Sequence, residues 1–457
     1  MVPSRCSPEI DAVTAAVTRG SASWTADTRA CVALSGGVDS IVLLHALVAA
    51  RRSADGAWGL CAHHVHHGLS LNADAWAVHC EKTCAELGVS FSVERVVVDR
   101  TSRVGIEAAA RIARYQSLDH IDATLVLLAH HALDQAETLL LQLLRGAGPA
   151  GLAAMPERRE RYVRPLLRVA KSDLLRYAET HALHWIEDES NADPRFARNR
   201  LRQQLWPSLI QAFPSAETTL SRAASHQGDA AELLNDLAAL DAATCVDIGA
   251  LKLAEFNALS QPRRANLLRY WLDVHAVPTP ATHTLHDWLH QLRSDATEQA
   301  IQLRVPAALE QDLSVRVYRG RAFVVRDQAR WQPLDWTGET KLALEAGGTA
   351  IGTLSFRPHA GAGAIRAQRA GEHWRVRTRA DGDSLELSAR SGHVTLKNIF
   401  QNANLPPWQR ELWPLLTCNK EIVCVVGIAT ANAYTVLPSE TGLLCEWKPA
   451  WDGLSGS

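Results

Sequence analysis

The chain has 457 residues, of which 47% are hydrophobic and 21% charged, with 47 Lys and Arg against 49 Asp and Glu. At roughly 100 to 200 residues per domain, this length excludes a single core and predicts several domains, and the composition excludes wholesale disorder. A formal charge of -2 excludes a strongly basic binder that relies on bulk charge, so only local charge can point to a nucleic-acid partner.

The nine cysteines are scattered. The closest pair, Cys80 and Cys84, has CxxxC spacing, so neither a zinc ribbon nor a redox dithiol is expected and free thiols in a reducing cytosol are the simpler reading. Glu9 and Asp11 stand early in the chain, no apolar signal core follows, and nowhere do 18 apolar residues run together, so the expectation is a soluble cytoplasmic protein with no membrane partner.

In chain order, short apolar runs alternate with longer amphipathic segments. Cys31 to Leu34 precedes a helix through Ile41 to Ala50, and Gly59 to His63 precedes Asn72 to Leu87. Phe91 to Val98 then precedes Gly105 to Ile121, and Thr124 to His130 precedes Leu133 to Leu144. Strand and helix alternating at this spacing predict βαβ units and a doubly wound parallel sheet, with ligands at the carboxyl ends of the strands. A helix is expected from Lys171 to His181. The stretch from Trp185 to Pro214, rich in arginine and broken by Pro194, Pro207 and Pro214, reads as an exit from the sheet domain.

Helical spacing from Glu217 to Arg293, including Leu267, Leu268, Trp271 and Leu272, predicts a helical middle domain. Short β-like pieces follow, among them Ser314 to Tyr318 and Ala322 to Arg326, and a small α+β domain begins near Arg375 and includes the apolar run Glu421 to Ile428. The expected division is therefore a sheet domain at 1–215, a helical domain at 216–330, a connection at 331–370 and a C-terminal domain at 371–457. The fold class is α/β.

Local charge is suggestive but ambiguous. Arg158, Arg159, Arg161, Arg164, Arg168, Lys171 and Arg176 crowd one stretch, against Glu160 and Asp173. A solvated helical face and a phosphate-binding face account for it about equally well.

The strongest local signal is Ser35-Gly36-Gly37-Val38-Asp39-Ser40, which follows an apolar run and opens a helix. Two glycines let the backbone turn tightly and bring N–H groups to an anion, the serine hydroxyls add donors, and the helix N-terminus adds partial positive charge. The loop reads as a phosphate cradle. No lysine follows the second glycine, so it is not a Walker A loop. An acid within the cradle, Asp39, makes chemical sense if Mg²⁺ lies between it and the phosphates.

Asp134 and Glu137, at i and i+3 on a helix start, form a pair able to hold a metal or accept a lysine amine. His63, His64, His66 and His67 follow a strand and suit hydrogen bonding to nucleotide or substrate better than metal ligation. Glu107, Arg111 and Arg114 share one helix face, for which a plain surface ion pair is the alternative.

The cradle resembles the signature loop of the N-type ATP pyrophosphatases, which adenylate a substrate while releasing pyrophosphate. Further blocks resemble the tRNA(Ile)-lysidine synthetase family: His63 to Leu69, Glu107 to Arg111 with Arg114-Tyr115, Asp134 to Thr138, Arg145 to Leu152, Trp185 to Asn191 and Arg198-Asn199-Arg200. Gln261 to Arg264 with Leu267 to Leu272, and Leu396 to Phe400 with Leu405 to Arg410, are similar to the middle and C-terminal domains of its longer members. Leu133 stands where that family has the first of two paired aspartates, leaving Asp134 and Glu137, and Ser384 stands in place of a basic residue.

The resemblance implies an enzyme that uses ATP and Mg²⁺ to adenylate the wobble cytidine of an isoleucine tRNA with a CAU anticodon, and then joins free lysine to C2. It implies ATP binding at Ser35 to Ser40, with Asp39 also the Mg²⁺ ligand. Catalytic roles would fall on Asp39, Asp134, Glu137 and Arg111. Substrate or tRNA contacts would fall on His63, His66, His67, Arg114, Arg198, Arg200 and Arg202. A tRNA thiolase would need paired cysteines and a glutamine-dependent synthetase an amidotransferase unit, and neither is evident. A catalytically dead RNA-binding module is the rival from another class. A homodimer is compatible with the sequence and not determined by it.

Overall fold

The structure is a computed structural model that describes residues 11–53, 56–70, 72–99, 101, 105–187, 197–293, 302–304, 313–361, 363–388, 392–437 and 439–450. Of the residues singled out above, Glu9, Asp188 to Asn191, Pro194, Arg195 and the side chain of Glu107 lie outside the described residues. The chain forms two compact units, Met1–Leu234 and Asn235–Ser457.

The first unit begins with α1 (Ala12–Ser21), β1 (Arg29–Ala33), α2 (Val38–Ser53), β2 (Gly59–His66), α3 (Ala73–Leu87) and β3 (Ser90–Arg95). It continues with α4 (Ile106–Asp119), β4 (Leu125–Leu127), α5 (Ala132–Leu144), α6 (Pro149–Leu152), β5 (Arg158–Arg159), β6 (Tyr162–Val163) and α7 (Lys171–Thr180). After α8 (Ala197–Arg200) come a π-helical stretch, Leu201–Leu205, and α9 (Trp206–Ala212).

The sheet order is β3-β2-β1-β4-β6-β5, parallel throughout except at the β5–β6 edge. Parallel strands covered on both faces bury all their side chains, and in β1 Ala30, Cys31 and Val32 are fully buried. Helix α2 is apolar nearly all round, burying Ile41, Val42, Leu43, Leu44 and Leu47, so it can only sit inside the unit. Its N-terminus is thereby fixed beneath the loop after β1. The chain steps to one side of β1 for β2 and β3 and to the other for β4 and β6, and this reversal opens a crevice at the carboxyl ends of β1 and β4.

One expectation is corrected here. Strand β2 does not end at His63 but runs to His66, because β3 pairs with it as far as His66↔Arg95. Three of the four histidines are thus strand residues with buried side chains rather than members of a loop after the strand.

Helix α10 (Ala216–Cys245) leads into the second unit. There β7 (Val246–Asp247), β8 (Ala250–Lys252), α11 (Leu253–Ala258), α12 (Gln261–Val274), α13 (Thr282–Gln291), β9 (Gln302–Arg304), β10 (Leu313–Tyr318) and β11 (Arg321–Arg326) share one core. The sheet β7-β8-β11-β10-β9 adds strands to the helices expected in this region, and Leu267, Trp271 and Leu272 pack with Val315 and Ala322.

The rest of the unit comprises β12 (Leu334–Asp335), β13 (Lys341–Ala346), β14 (Thr349–Ala360), β15 (Trp374–Arg377), β16 (Ser384–Glu386), β17 (His393–Thr395), α14 (Leu396–Asn402) and α15 (Pro407–Arg410). It closes with β18 (Leu415–Cys418), β19 (Glu421–Val425), β20 (Ala429–Thr430) and β21 (Thr441–Pro449). Residues 331–360, expected as a connection, supply Trp331, Trp336, Leu354 and Phe356 to the same core as Trp374, Phe400 and Val423. Strand β14 pairs with β21 along nine residue pairs, from Gly352↔Pro449 to Ala360↔Thr441, which ties this stretch to the chain's last strand. Trp408 is half-buried and packs edge-on to Phe323 at 5.6 Å and Tyr318 at 6.3 Å.

Candidate active site

The crevice of the first unit is an open cleft of about 1530 Å³. It is lined from the ends of β1, β2 and β4 and from α4, α7 and α8, and carries Arg114, Lys171, Arg198 and Arg202 beside Asp39, Asp134 and Glu187.

At its floor is the loop after β1. Gly36 has φ +86°, a left-handed conformation that costs an L side chain on the order of 1 kcal/mol or more. A Cβ there would also lie 3.1 Å from Ile186 Cδ1 and 3.2 Å from Cys80 Sγ. Ser40 Oγ donates to Gly37 O at 2.9 Å and lies 3.1 Å from Ser35 Oγ, while Ile186 N donates to Gly36 O at 2.9 Å. Ser35, Gly37, Val38 and Asp39 line the cleft, with Gly36 and Ser40 buried beneath them.

Asp39 is engaged on both oxygens. Lys171 Nζ lies 2.5 Å from Oδ1 and His131 Nε2 lies 3.4 Å from Oδ2. Burial pushes the Asp39 carboxyl up, but His131 and Lys171 together outweigh it and hold the pKa below its usual value. The tautomer of His131 follows from its other nitrogen. Nδ1 accepts from Leu133 N at 3.3 Å, so the neutral ring carries its proton on Nε2, aimed at Asp39. Asp134 Oδ2 accepts from His131 N at 3.1 Å and lies 3.7 Å from His131 Nε2, so two carboxylates converge on one imidazole.

Other expected residues are placed differently. Glu137 does not face the cleft. It has no exposed side chain, because Arg202 grips both its oxygens at 2.7 and 2.9 Å, and Arg198 Nε lies 3.0 Å from Oε2 as a charge contact rather than an aligned hydrogen bond. Arg198 also donates to Thr138 Oγ1 at 2.9 Å. Helix α4 turns Ile106, Ala110 and Arg114 to the cleft, and this i, i+4, i+8 stripe leaves Arg111 exposed over the Tyr115 ring. Arg200 is likewise exposed and off the cleft. Among the described residues Arg114 has no hydrogen-bond or ion-pair partner, and burial draws its pKa down.

The histidines hold the scaffold. His63 bonds Ser92 at 2.8 Å and Ser117 at 3.0 Å, His64 Nδ1 donates to Leu34 O at 2.9 Å, and His66 meets Asp74 at 3.2 Å. His67 and His130 are pulled to about 4 and about 3, each first by burial, and both are neutral near pH 7. The sequence reading gave no site role to Lys171 or His131, both of which contact Asp39, and took His64, which bonds Leu34 O, for a nucleotide or substrate contact. Lys171 was hidden in a basic run, and its usable signal is its place at the first residue of the helix that follows the outermost parallel strand.

The carboxylates suit a Mg²⁺ held by one or two acids and completed by phosphate oxygens. Among the described residues no group of three or more His, Cys, Asp or Glu could hold a metal by itself, and no helix is long and apolar enough to cross a membrane.

Comparison with known proteins places the chain beside one family. Residues 11–209 match the PP-loop domain family, 251–323 the TilS substrate binding domain and 374–447 the TilS substrate C-terminal domain. A protein of Nitrosomonas europaea named tRNA(Ile)-lysidine synthase is 37% identical over 432 residues, covering 92% of each chain. Proteins with that name from Xanthomonas campestris and Aromatoleum aromaticum are 41% and 40% identical, covering 86% and 92% of this chain and 88% and 97% of their own.

Proposed function

This chain belongs to the tRNA(Ile)-lysidine synthase family, and from that premise we propose how its cleft joins free lysine to the wobble cytidine of an isoleucine tRNA with a CAU anticodon. It is an ATP-consuming carbon–nitrogen ligase. The observation that carries the residue assignments is the pairing of Asp39 in the phosphate cradle with Asp134 across His131, in a cleft that also holds four cations.

In the first step the cytidine O2 attacks the α-phosphorus of ATP and the bond to pyrophosphate breaks. The backbone N–H groups of the loop, the Ser35 hydroxyl and the start of α2 face the charge that gathers on the departing phosphates. In the second step the lysine ε-nitrogen bonds to C2 and AMP leaves with O2, the amine losing its proton. Asp39 and Asp134 would hold Mg²⁺, which when bound supplies charge neutralisation at the phosphates. Asp134 would also receive the ammonium of the incoming lysine. Arg114, His67, Arg198 and Arg202 line the cleft and would guide the unstacked cytidine through phosphate and base contacts. Glu137 acts through the two arginines it orients. The protein contributes orientation above all, and the tRNA substrate favours a cytoplasmic setting.

The test is incorporation of labelled lysine into an isoleucine tRNA transcript with a CAU anticodon, with and without ATP and Mg²⁺. ATP-dependent label that is absent from a methionine tRNA sharing the anticodon is the expected result. Splitting of ATP to AMP and pyrophosphate with no label in the isoleucine transcript would overturn the substrate assignment.

A further inference from the structure

Lys171 was not among the expected site residues, yet it makes one of the shortest contacts in the cleft, 2.5 Å from Nζ to Asp39 Oδ1. Among the described residues Asp39 is its only ion-pair partner. Its backbone is pinned, because Lys171 N donates to Glu217 Oε1 at 2.8 Å, but its side chain is a flexible unbranched stem with 27% exposure. The ammonium can therefore move while its Cα stays. It lines the same cleft as Ser35 and Gly37.

The contact conflicts with metal binding. An oxygen that coordinates Mg²⁺ does so at about 2.1 Å, and a second cation held 2.5 Å from that oxygen would face strong repulsion across the same atom. His131 does not create this conflict, since it meets the other oxygen at 3.4 Å and can do so as a neutral donor. One of the two cations must leave Oδ1, and the one on a mobile stem is Lys171. A compact, strongly hydrated ammonium suits phosphate oxygens as a point charge.

We propose that Lys171 is the exchangeable counter-ion of Asp39: its ammonium neutralises the carboxylate in the empty site and moves onto the phosphates in the cradle once Asp39 turns to the divalent cation. This rests on the reading of Asp39 given above. The exchange makes metal and nucleotide enter together, because a bare cation must displace the ammonium with nothing to receive it.

The experiment titrates Mn²⁺, followed by loss of its free-ion EPR signal, into the full-length chain without nucleotide. Wild type and K171R should bind it weakly, and K171M roughly tenfold more tightly, as expected when a largely buried cation is removed from a carboxylate. With Mn²⁺ saturating, pyrophosphate should bind K171M more weakly than wild type. These opposite shifts would not arise from a purely structural lysine. Mn²⁺ affinity in K171M equal to or below that of wild type overturns the exchange. If D39A loses Mn²⁺ binding in the same titration, the reading of Asp39 survives that failure. If D39A binds Mn²⁺ like wild type, that reading falls and the exchange with it. Should K171M fail to fold by circular dichroism, K171Q repeats the comparison.

Discussion

Glu137 has no contact with solvent, and its charge is balanced by Arg198 and Arg202, each about a third exposed. Substituting Glu137→Gln leaves two guanidinium groups facing a neutral amide. Breaking a sealed buried pair costs several kcal/mol, and the partial exposure of these arginines reduces the expected cost to about 2 kcal/mol. Thermal denaturation should show that loss of stability, and the variant should bind tRNA less well because both arginines are released from their set positions. A variant as stable as wild type would show that the pair contributes nothing. The acid at this position was legible in the sequence; its direction was not. A residue one helical turn from Asp134 can face either the cleft or the helix behind it, and that choice is made by Arg198 and Arg202, some sixty residues away in sequence.

Strand β2 shows the same limit at the level of an element. A histidine-rich stretch reads as exposed and polar, but alternation in a strand sends neighbours to opposite faces, so His63 meets Ser92 and Ser117 while His64 meets Leu34 O. Leu34 N in turn donates to His63 O at 2.8 Å, so β2 holds the residue before the cradle by both its backbone groups. Substituting His64→Phe removes the bond to Leu34 O and leaves a buried carbonyl without its partner, at a cost of about 1 to 3 kcal/mol. Nucleotide affinity should fall with little change in tRNA affinity, and titration of both ligands against the variant checks it. The cradle itself was readable because strand, glycines and helix start are contiguous in sequence. The anchors of the cradle, at His64, Ile186 and Lys171, come from three later segments and leave no local pattern.

Each unit of the molecule has its own apolar core. Heating should therefore give more than one calorimetric transition, since chains with several cores seldom unfold in two states. Phe400→Ala, which empties a fully buried site, should lower only the transition of the second unit, by about 3 to 5 kcal/mol, with nucleotide binding unchanged; a single transition shifted as a whole would refute this. The parallel-sheet part, the helical stretch after it and the strand-rich C-terminal part were legible from changes in periodicity. The role of residues 331–360 was not, because the partner of β14 is the last strand of the chain. The central place of β1 also sets a timetable for synthesis. Its neighbour β4 emerges about a hundred residues after it, Ile186 closes on Gly36 later still, and Glu217 fixes the backbone of Lys171 last of all. A nascent chain halted before Glu217 holds every residue of the phosphate loop but not the contact that fixes the backbone of Lys171 beside it, so nucleotide capture during translation should strengthen once Glu217 has emerged.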